Sequence, residues 1–295
     1  MTGPILVLGG TGLLGHATSA ELARGGRRFE APSRAVLDLA DLAALPGRLD
    51  AIAPASILNL SGFTDVGAAE RPENFREATA LNAELPETLA GYCAARGIPL
   101  VHVSTDYVFD GAKRTPYVES DPVHPLQVYG VTKLGGETAV VAANPKALIL
   151  RVSTLYGPGR PRRPAYVDAI LAQARTIAGG GGGALSVVEA PVSSPTYAPD
   201  VAPALLALLD LGVHGLVHTV NDGAASRLDL ATAAVRCAGL ADRVAIGVRP
   251  EPAGSLARPA YSVLGTDKLA SLIGRKLPHW EDALARYVQR SKDQS

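Results

Sequence analysis

At 295 residues the chain exceeds one small domain and fits a nucleotide-binding domain carrying a smaller lobe. With 47% apolar and 19% charged residues, and 28 basic side chains against 28 acidic ones, it is too apolar for disorder. It also lacks the basic excess of a protein that binds nucleic acid or an anionic membrane. Its two cysteines, Cys93 and Cys237, form no CxxC pair, which argues against a disulfide framework or zinc site and fits a reducing, cytoplasmic setting.

A strand-like run begins almost at once, leaving no basic lead-in or apolar signal core. Charge-poor stretches such as 51–64 stop short of the ~18 to 20 apolar residues of a membrane span. The first half then alternates short apolar runs with helical-period segments, the pattern of an α/β, doubly wound parallel sheet covered on both faces. Residues 5–8, 29–31, 55–60, 100–104 and 147–152 read as strands, and 13–24, 83–96 and 129–142 as helices. After Ser153 the alternation loosens into a Pro/Arg-rich stretch at 160–164 and a five-glycine run, Gly179 to Gly183, which reads as a flexible surface linker. Asp200 reads as the cap of a helix reaching 209; 216–220 is a strand, 229–238 and 281–289 are helical, and 291–295 is a frayed tail.

The first strand runs into Gly9, Gly10, Thr11, Gly12, Leu13, Leu14 and Gly15, then a helix. Such a turn needs residues without Cβ constraints, and the helix start offers unpaired N–H groups to a diphosphate. Position between strand and helix makes this pattern specific. At the end of the second strand, Pro32, Ser33 and Arg34 offer a hydroxyl and a guanidinium suited to a 2′-phosphate, so NADPH is expected. Glu30 lies close enough to leave NADH open, and Arg34 could equally be a solvated charge. Asp38, followed by Leu39, is placed either to accept from an adenine amino group or to cap a helix.

Tyr129 and Lys133 form a YxxxK pair on one helix face. A nearby ammonium would lower the phenol toward the working range of a general acid. Upstream, Val103, Ser104, Thr105, Asp106 and Tyr107 end a strand with a hydroxyl cluster. Ligands of open parallel sheets lie beyond the carboxyl ends of the strands, so Thr105 and Tyr129 can converge on one carbonyl oxygen.

The glycine loop, Asn82, the octapeptide from Ser104 to Gly111, the YxxxK pair, Ser194-Pro195-Thr196, Arg258-Pro259 and Leu277-Pro278-His279-Trp280 carry a resemblance over nearly the whole chain. Together they resemble an extended short-chain dehydrogenase/reductase of the dTDP-4-dehydrorhamnose reductase type. The resemblance implies a Rossmann-type, NADP(H)-binding domain over 1–155, with later strands near 186–189 and 216–220 added, and a smaller, mainly substrate-binding α/β lobe over 156–295. It implies that Tyr129 donates a proton, that Lys133 tunes it and holds the nicotinamide ribose, and that Thr105 bonds the substrate oxygen. Leu60, Ser61 and Gly62 would lie on the cofactor, and Thr64, Asp106, Tyr107, Ser153 and Thr154 would line a nucleotide-sugar site. The implied reaction is reduction of a sugar ketone; Asn82 would order a water near Lys133, and homodimers are common in the family.

Departures accompany the matches. Thr154 stands where the family has a tryptophan, the family's Asn-Asn-Phe is missing before Tyr166, and the stretch Glu189 to Val192 replaces an Asp-Gln. Arg160, Arg162 and Arg163 could grip a diphosphate or form a solvated loop. A non-catalytic nucleotide-binding subunit and an epimerase or dehydratase are the alternative readings. Against the last, Tyr107 follows Asp106 where dehydratases place a glutamate.

Overall fold

The computed structural model describes residues 3–252 and 254–293. In chain order the elements are β1 (Ile5–Leu8), α1 (Leu13–Arg24), β2 (Phe29–Glu30), α2 (Leu45–Ile52), β3 (Ser56–Asn59), α3 (Val66–Ala69), α4 (Pro72–Thr79), α5 (Leu85–Arg96), β4 (Leu100–Thr105) and α6 (Val128–Ala143). They continue with β5 (Leu148–Val152), β6 (Leu155–Tyr156), α7 (Tyr166–Thr176), β7 (Leu185–Val187), β8 (Val192–Ser193), β9 (Thr196–Tyr197), α8 (Ala198–Asp210) and β10 (Gly215–His218). Last come β11 (Ala225–Ser226), α9 (Arg227–Cys237), β12 (Ile246–Val248), α10 (Asp267–Ile273) and α11 (Trp280–Asp293).

Six strands form one parallel sheet in the order β10-β5-β4-β3-β1-β2. The chain builds outward from β1 to one side and then to the other, so a crevice opens beyond the carboxyl ends of β1 and β3 where ligands of such sheets bind. The strands are apolar on both faces because both are covered: α1 and α8 pack one side through Leu14, Leu22 and Leu205, and α2, α5 and α6 the other through Leu49, Leu89 and Val140. A separate core joins α7, α9 and α11 around Ile170, Leu230 and Leu284.

Three expectations need correction. The strand near 186–189 does not join the central sheet: β7 pairs with β12 in a two-stranded ladder of its own, whereas β10 does take the sheet edge beside β5. Asp200 is not the cap of α8, whose flanking residue is Tyr197; its carboxylate instead holds Asn221 and Arg286. The glycine run follows α7 directly, with the helical backbone broken at Gly180, φ +100°, and Gly179 to Gly183 all exposed. Residues 291–293 continue α11, while 294 and 295 lie outside the described residues.

Between α4 and α5 the chain makes a π-helical turn, Ala80–Glu84. Pro86 explains it. A proline at that position has no N–H to give the Asn82 carbonyl four residues back, so the regular ladder cannot pass through. That carbonyl faces α6, where a Cβ on Gly136 would come within 2.1 Å of it.

Candidate active site

The glycine loop is fixed by space. Gly9 has φ +81°, and a Cβ there would sit 2.7 Å from the Leu60 carbonyl oxygen. A Cβ on Gly15 would fall 2.0 Å from the Gly9 oxygen, so helix and turn touch directly. Gly12, the residue before α1, has no side-chain cap, and its own Cβ position is nearly open, which leaves the first N–H groups of a three-turn helix available to an anion. Leu14 turns its side chain into the core and Leu13 packs beside it, so both serve the loop through their backbones. Thr11 is exposed, and its carbonyl accepts from the Arg160 N–H at 2.8 Å.

Beyond β2, Ser33 and Arg34 are exposed, with the Arg34 side chain 77% accessible. Asp38 lies 3.7 Å from Arg34 and accepts from the Ala40 N–H in a local turn, with its side chain still 44% accessible. Leu39 packs on the α2 side of the sheet. At the end of β3, Leu60 lies against Gly9, the Ser61 hydroxyl donates to Asn59, and the Cα of Gly62 faces Asn82 and Lys133. Thr64 follows, exposed.

Thr105 ends β4, and Tyr129 and Lys133 stand one turn apart at the start of α6. The Thr105 hydroxyl bears electrostatically on the Tyr129 phenol, and the Tyr107 and Tyr129 rings meet edge to face at 6.0 Å. Lys133 does not lower the phenol as expected. Its ammonium donates to the Val103 carbonyl at 2.6 Å, and burial, reinforced by Asp106 and Tyr107, holds the Tyr129 pKa above its ordinary value. A phenol so placed keeps its proton at neutral pH, the state from which a proton donor starts. Burial brings Lys133 down to about 8, opposed by the Glu137 carboxylate one turn further on.

The family resemblance puts Asp106 and Ser153 against substrate. The structure instead buries both behind Thr105: Asp106 is shared by the hydroxyls of Thr105, Ser153 and Ser262. Asn82 is likewise committed to protein groups, accepting from the Phe63 N–H and donating to the Phe63 carbonyl and the Thr132 hydroxyl, so it works as a clamp. His102 is fully buried beside Asn59, and desolvation keeps it neutral. Burial pushes the Cys93 thiol up to about 12, and no disulfide forms among the described residues.

A pocket toward the second core is lined by Tyr107, Thr154, Tyr166, Ser193, Ser226 and Arg227. Thr154 adopts φ +38° and shares a 2.8 Å hydrogen bond with Ser193. The Arg227 guanidinium lies 4.6 Å from the Tyr166 ring centre and bears electrostatically on the Tyr107 phenol. Sequence reading missed Arg227 and Tyr166, which belong to no motif and lie on elements well beyond the YxxxK pair. The arginines near 160 are differently engaged: Arg163 pairs with Asp65 at 3.0 Å and Arg162 with Glu77 at 3.7 Å, strapping this loop across the glycine loop.

Beneath the site, Arg151 and Glu137 form a two-point ion pair at 2.9 and 2.7 Å, with side chains only 4% and 8% exposed. Nothing in the sequence singled it out beyond an arginine inside an apolar strand.

A family model described as RmlD substrate binding domain matches residues 1–292. The chain belongs to this family, the dTDP-4-dehydrorhamnose reductase type of extended short-chain dehydrogenase/reductase. It is 38% identical over 292 residues to the dTDP-4-dehydrorhamnose reductase of Mycobacterium tuberculosis, covering 95% of this chain and 91% of that protein. A probable dTDP-4,6-dihydroxy-2-methyloxan-3-one 4-ketoreductase of Streptomyces antibioticus is 38% identical over 285 residues, covering 95% and 92%. The fold matches the dTDP-4-dehydrorhamnose reductase of Bacillus anthracis in complex with NADP, with TM-score 0.87 and 26% identity over 98% of this chain and all of that one. Among the described residues no helix is long and apolar enough to cross a membrane, and no group of three or more His, Cys, Asp or Glu side chains could hold a metal.

Proposed function

We propose that this reductase-family member uses NADPH to reduce a keto group, at C4, of a nucleoside-diphosphate 6-deoxyhexose. The observation that carries the reading is the convergence of Thr105 and Tyr129, with Lys133 one turn behind, beyond the strand ends beside an uncapped glycine-loop helix. The reductases of M. tuberculosis and S. antibioticus support the substrate class, and the NADP-bound B. anthracis structure supports the cofactor.

The residues present fit the cofactor. The room in front of Gly12 suits a diphosphate, Ser33 and Arg34 suit a 2′-phosphate, and Leu60 to Gly62 line the approach to Lys133. NADPH, when bound, supplies the hydride for the carbonyl carbon. Tyr129 gives its proton to the carbonyl oxygen as negative charge develops there, and Thr105 holds the same oxygen. Lys133 has three ammonium donors, of which Val103 takes one, leaving others for the ribose hydroxyls. Tyr129 recovers its proton from solvent, so the ketone gains one hydride and one proton. Tyr107, Arg227 and Tyr166 form the wall toward the sugar nucleotide.

We further infer a cytoplasmic homodimer in which 1–155 carry the cofactor and 156–295 mainly the substrate, with β10 returned to the first sheet. The family resemblance supports the dimer, and sedimentation velocity tests it. The test of function is NADPH consumption with a panel of 4-keto nucleotide sugars. Cofactor binding without oxidation by any of them overturns the reductase reading and favours a non-catalytic nucleotide-binding subunit.

Two variants probe the cofactor site. Gly15→Ala drives a methyl into the Gly9 carbonyl and is expected to weaken NADPH binding about tenfold or more, on the ~1–3 kcal/mol scale of overpacking, in a fluorescence titration. Arg34→Ala is expected to reduce NADPH affinity while leaving NADH affinity within about twofold, because only the former offers a 2′-phosphate to the guanidinium. Equal losses for both nucleotides would remove Arg34 from that role.

A further inference from the structure

Asp106 has an unusual setting for a carboxylate next to a reacting hydroxyl. It is 2% exposed, and it is surrounded by hydroxyls: Thr105 at 3.1 Å on Oδ1, and Ser153 at 2.8 Å and Ser262 at 2.6 Å on Oδ2. The groups that bear on it electrostatically are these hydroxyls and its own backbone, with no guanidinium or ammonium among them. The charged and titratable groups on the elements packed around it are engaged elsewhere. Lys133 on α6 reaches Val103, Arg227 on α9 and Arg258 act on Tyr107, and Tyr107 and Tyr129 are themselves raised by the Asp106 charge.

A threonine hydroxyl has one proton and two lone pairs. At Thr105 the Tyr107 N–H takes one lone pair at 3.2 Å and Asp106 is bonded at 3.1 Å, leaving one further place on the hydroxyl, on the side where it bears on the Tyr129 phenol. We propose that Asp106 is a positioning residue: by carrying or lacking a proton, it decides whether the Thr105 hydroxyl points toward the keto oxygen. An ionised Asp106 accepts from all three hydroxyls. Thr105 then spends its proton on Asp106, and its remaining lone pair draws the Tyr129 proton inward, away from the substrate. A protonated Asp106 reverses the chain. Its Oδ1–H donates to Thr105, Oδ2 still accepts from Ser153 and Ser262, and both the Thr105 and the Tyr129 protons are released toward the substrate oxygen.

Both states are within reach in the cell, because burial pushes Asp106 up to about 6 against the pull of its three hydroxyl donors. The sign follows: reduction is favoured below that value and declines as pH rises through it. This inference rests on the keto-reductase reading, so its test includes a readout that needs no turnover.

The experiment is the pH profile of kcat for keto-sugar reduction between pH 5 and 8, for wild type, Asp106→Asn and Ser262→Ala, with carboxyl infrared difference spectra of the same proteins. Wild type should show a limb near 6, falling by up to about tenfold per pH unit, the limit for one ionisation. In Asp106→Asn the amide N–H replaces the acid proton permanently and the oxygen keeps both serines, so the limb should vanish with the plateau rate retained. Ser262→Ala removes a donor to the ionised form and should move the limb to higher pH. The infrared spectrum should show one buried carboxyl titrating near 6 that is missing from Asp106→Asn, whether or not any sugar is reduced. Parallel wild-type and Asn profiles, an Asn variant inactive at every pH though folded, an unmoved limb in Ser262→Ala, or a carboxyl titrating near 4 would each overturn the proposal. Absence of all turnover with the carboxyl titration intact would instead overturn the substrate reading alone. Should Asp106→Asn fail to fold, the direction of the Ser262→Ala shift decides.

Discussion

Tyr129→Phe is expected to lower kcat for keto-sugar reduction by about 10²- to 10⁴-fold, the range spanned by loss of a positioned general acid. The ring stays, with its 6.0 Å edge-to-face contact to Tyr107, so NADPH affinity and KM should change by no more than about threefold. Burial keeps this phenol protonated well above neutrality, so no other state of it competes. Thr105 remains to hold the carbonyl oxygen, and it accounts for any residual rate. Steady-state kinetics with the best sugar of the panel make the measurement, and an unchanged kcat would assign the proton to another group. A chain that binds nucleotide only to regulate a partner has no such rate to lose.

Glu137→Ala is expected to destabilise the fold by about 3–5 kcal/mol, the cost of stranding a buried charge once its partner is removed. Arg151 is 4% exposed, near the carboxyl end of β5, over the Phe109 ring at 5.0 Å and with the Glu137 carboxylate as its counter-charge. Urea unfolding followed by circular dichroism reads the loss directly. Replacing the pair together, as Glu137→Leu with Arg151→Met, should recover most of it, because two apolar side chains of similar volume bury without a desolvation penalty. A single variant as stable as wild type would mean that Arg151 finds water or another acceptor. The pair also matters to the site: Glu137 is the charge that opposes desolvation of Lys133, and its loss should move the Lys133 titration below about 8.

Much of this was legible in the sequence, for specific reasons. Strands β1, β3, β4 and β5 announce themselves because both faces are buried, which writes continuous apolar runs. The glycine loop is readable because its geometry admits no side chain at Gly9 or Gly15. Tyr129 and Lys133 show through a fixed helical spacing, and Thr105 through its place at a strand end. What could not be read depends on contacts between distant segments. Asp106 reads as a substrate contact because Ser262, which closes its cage, lies 156 residues away in the chain. Arg162 and Arg163 read equally as a diphosphate grip or a solvated loop, because their acidic partners, Glu77 and Asp65, lie on other elements. β7 has a strand's composition, and only the position of β12 determines that it leaves the main sheet.

The turn at Ala80–Glu84 holds one residue more than an α-helical turn of the same rise. Shortening it by one residue, with Pro86 changed to a residue that has an N–H, would let α4 and α5 run together as a single regular helix. The same edit would carry Asn82 about 100° around the axis, the angle between successive residues, and off Phe63 and Thr132. Helical regularity and a clamp between the β3 exit and the helix bearing Tyr129 are therefore mutually exclusive uses of this segment, and Pro86 is the residue that selects the clamp.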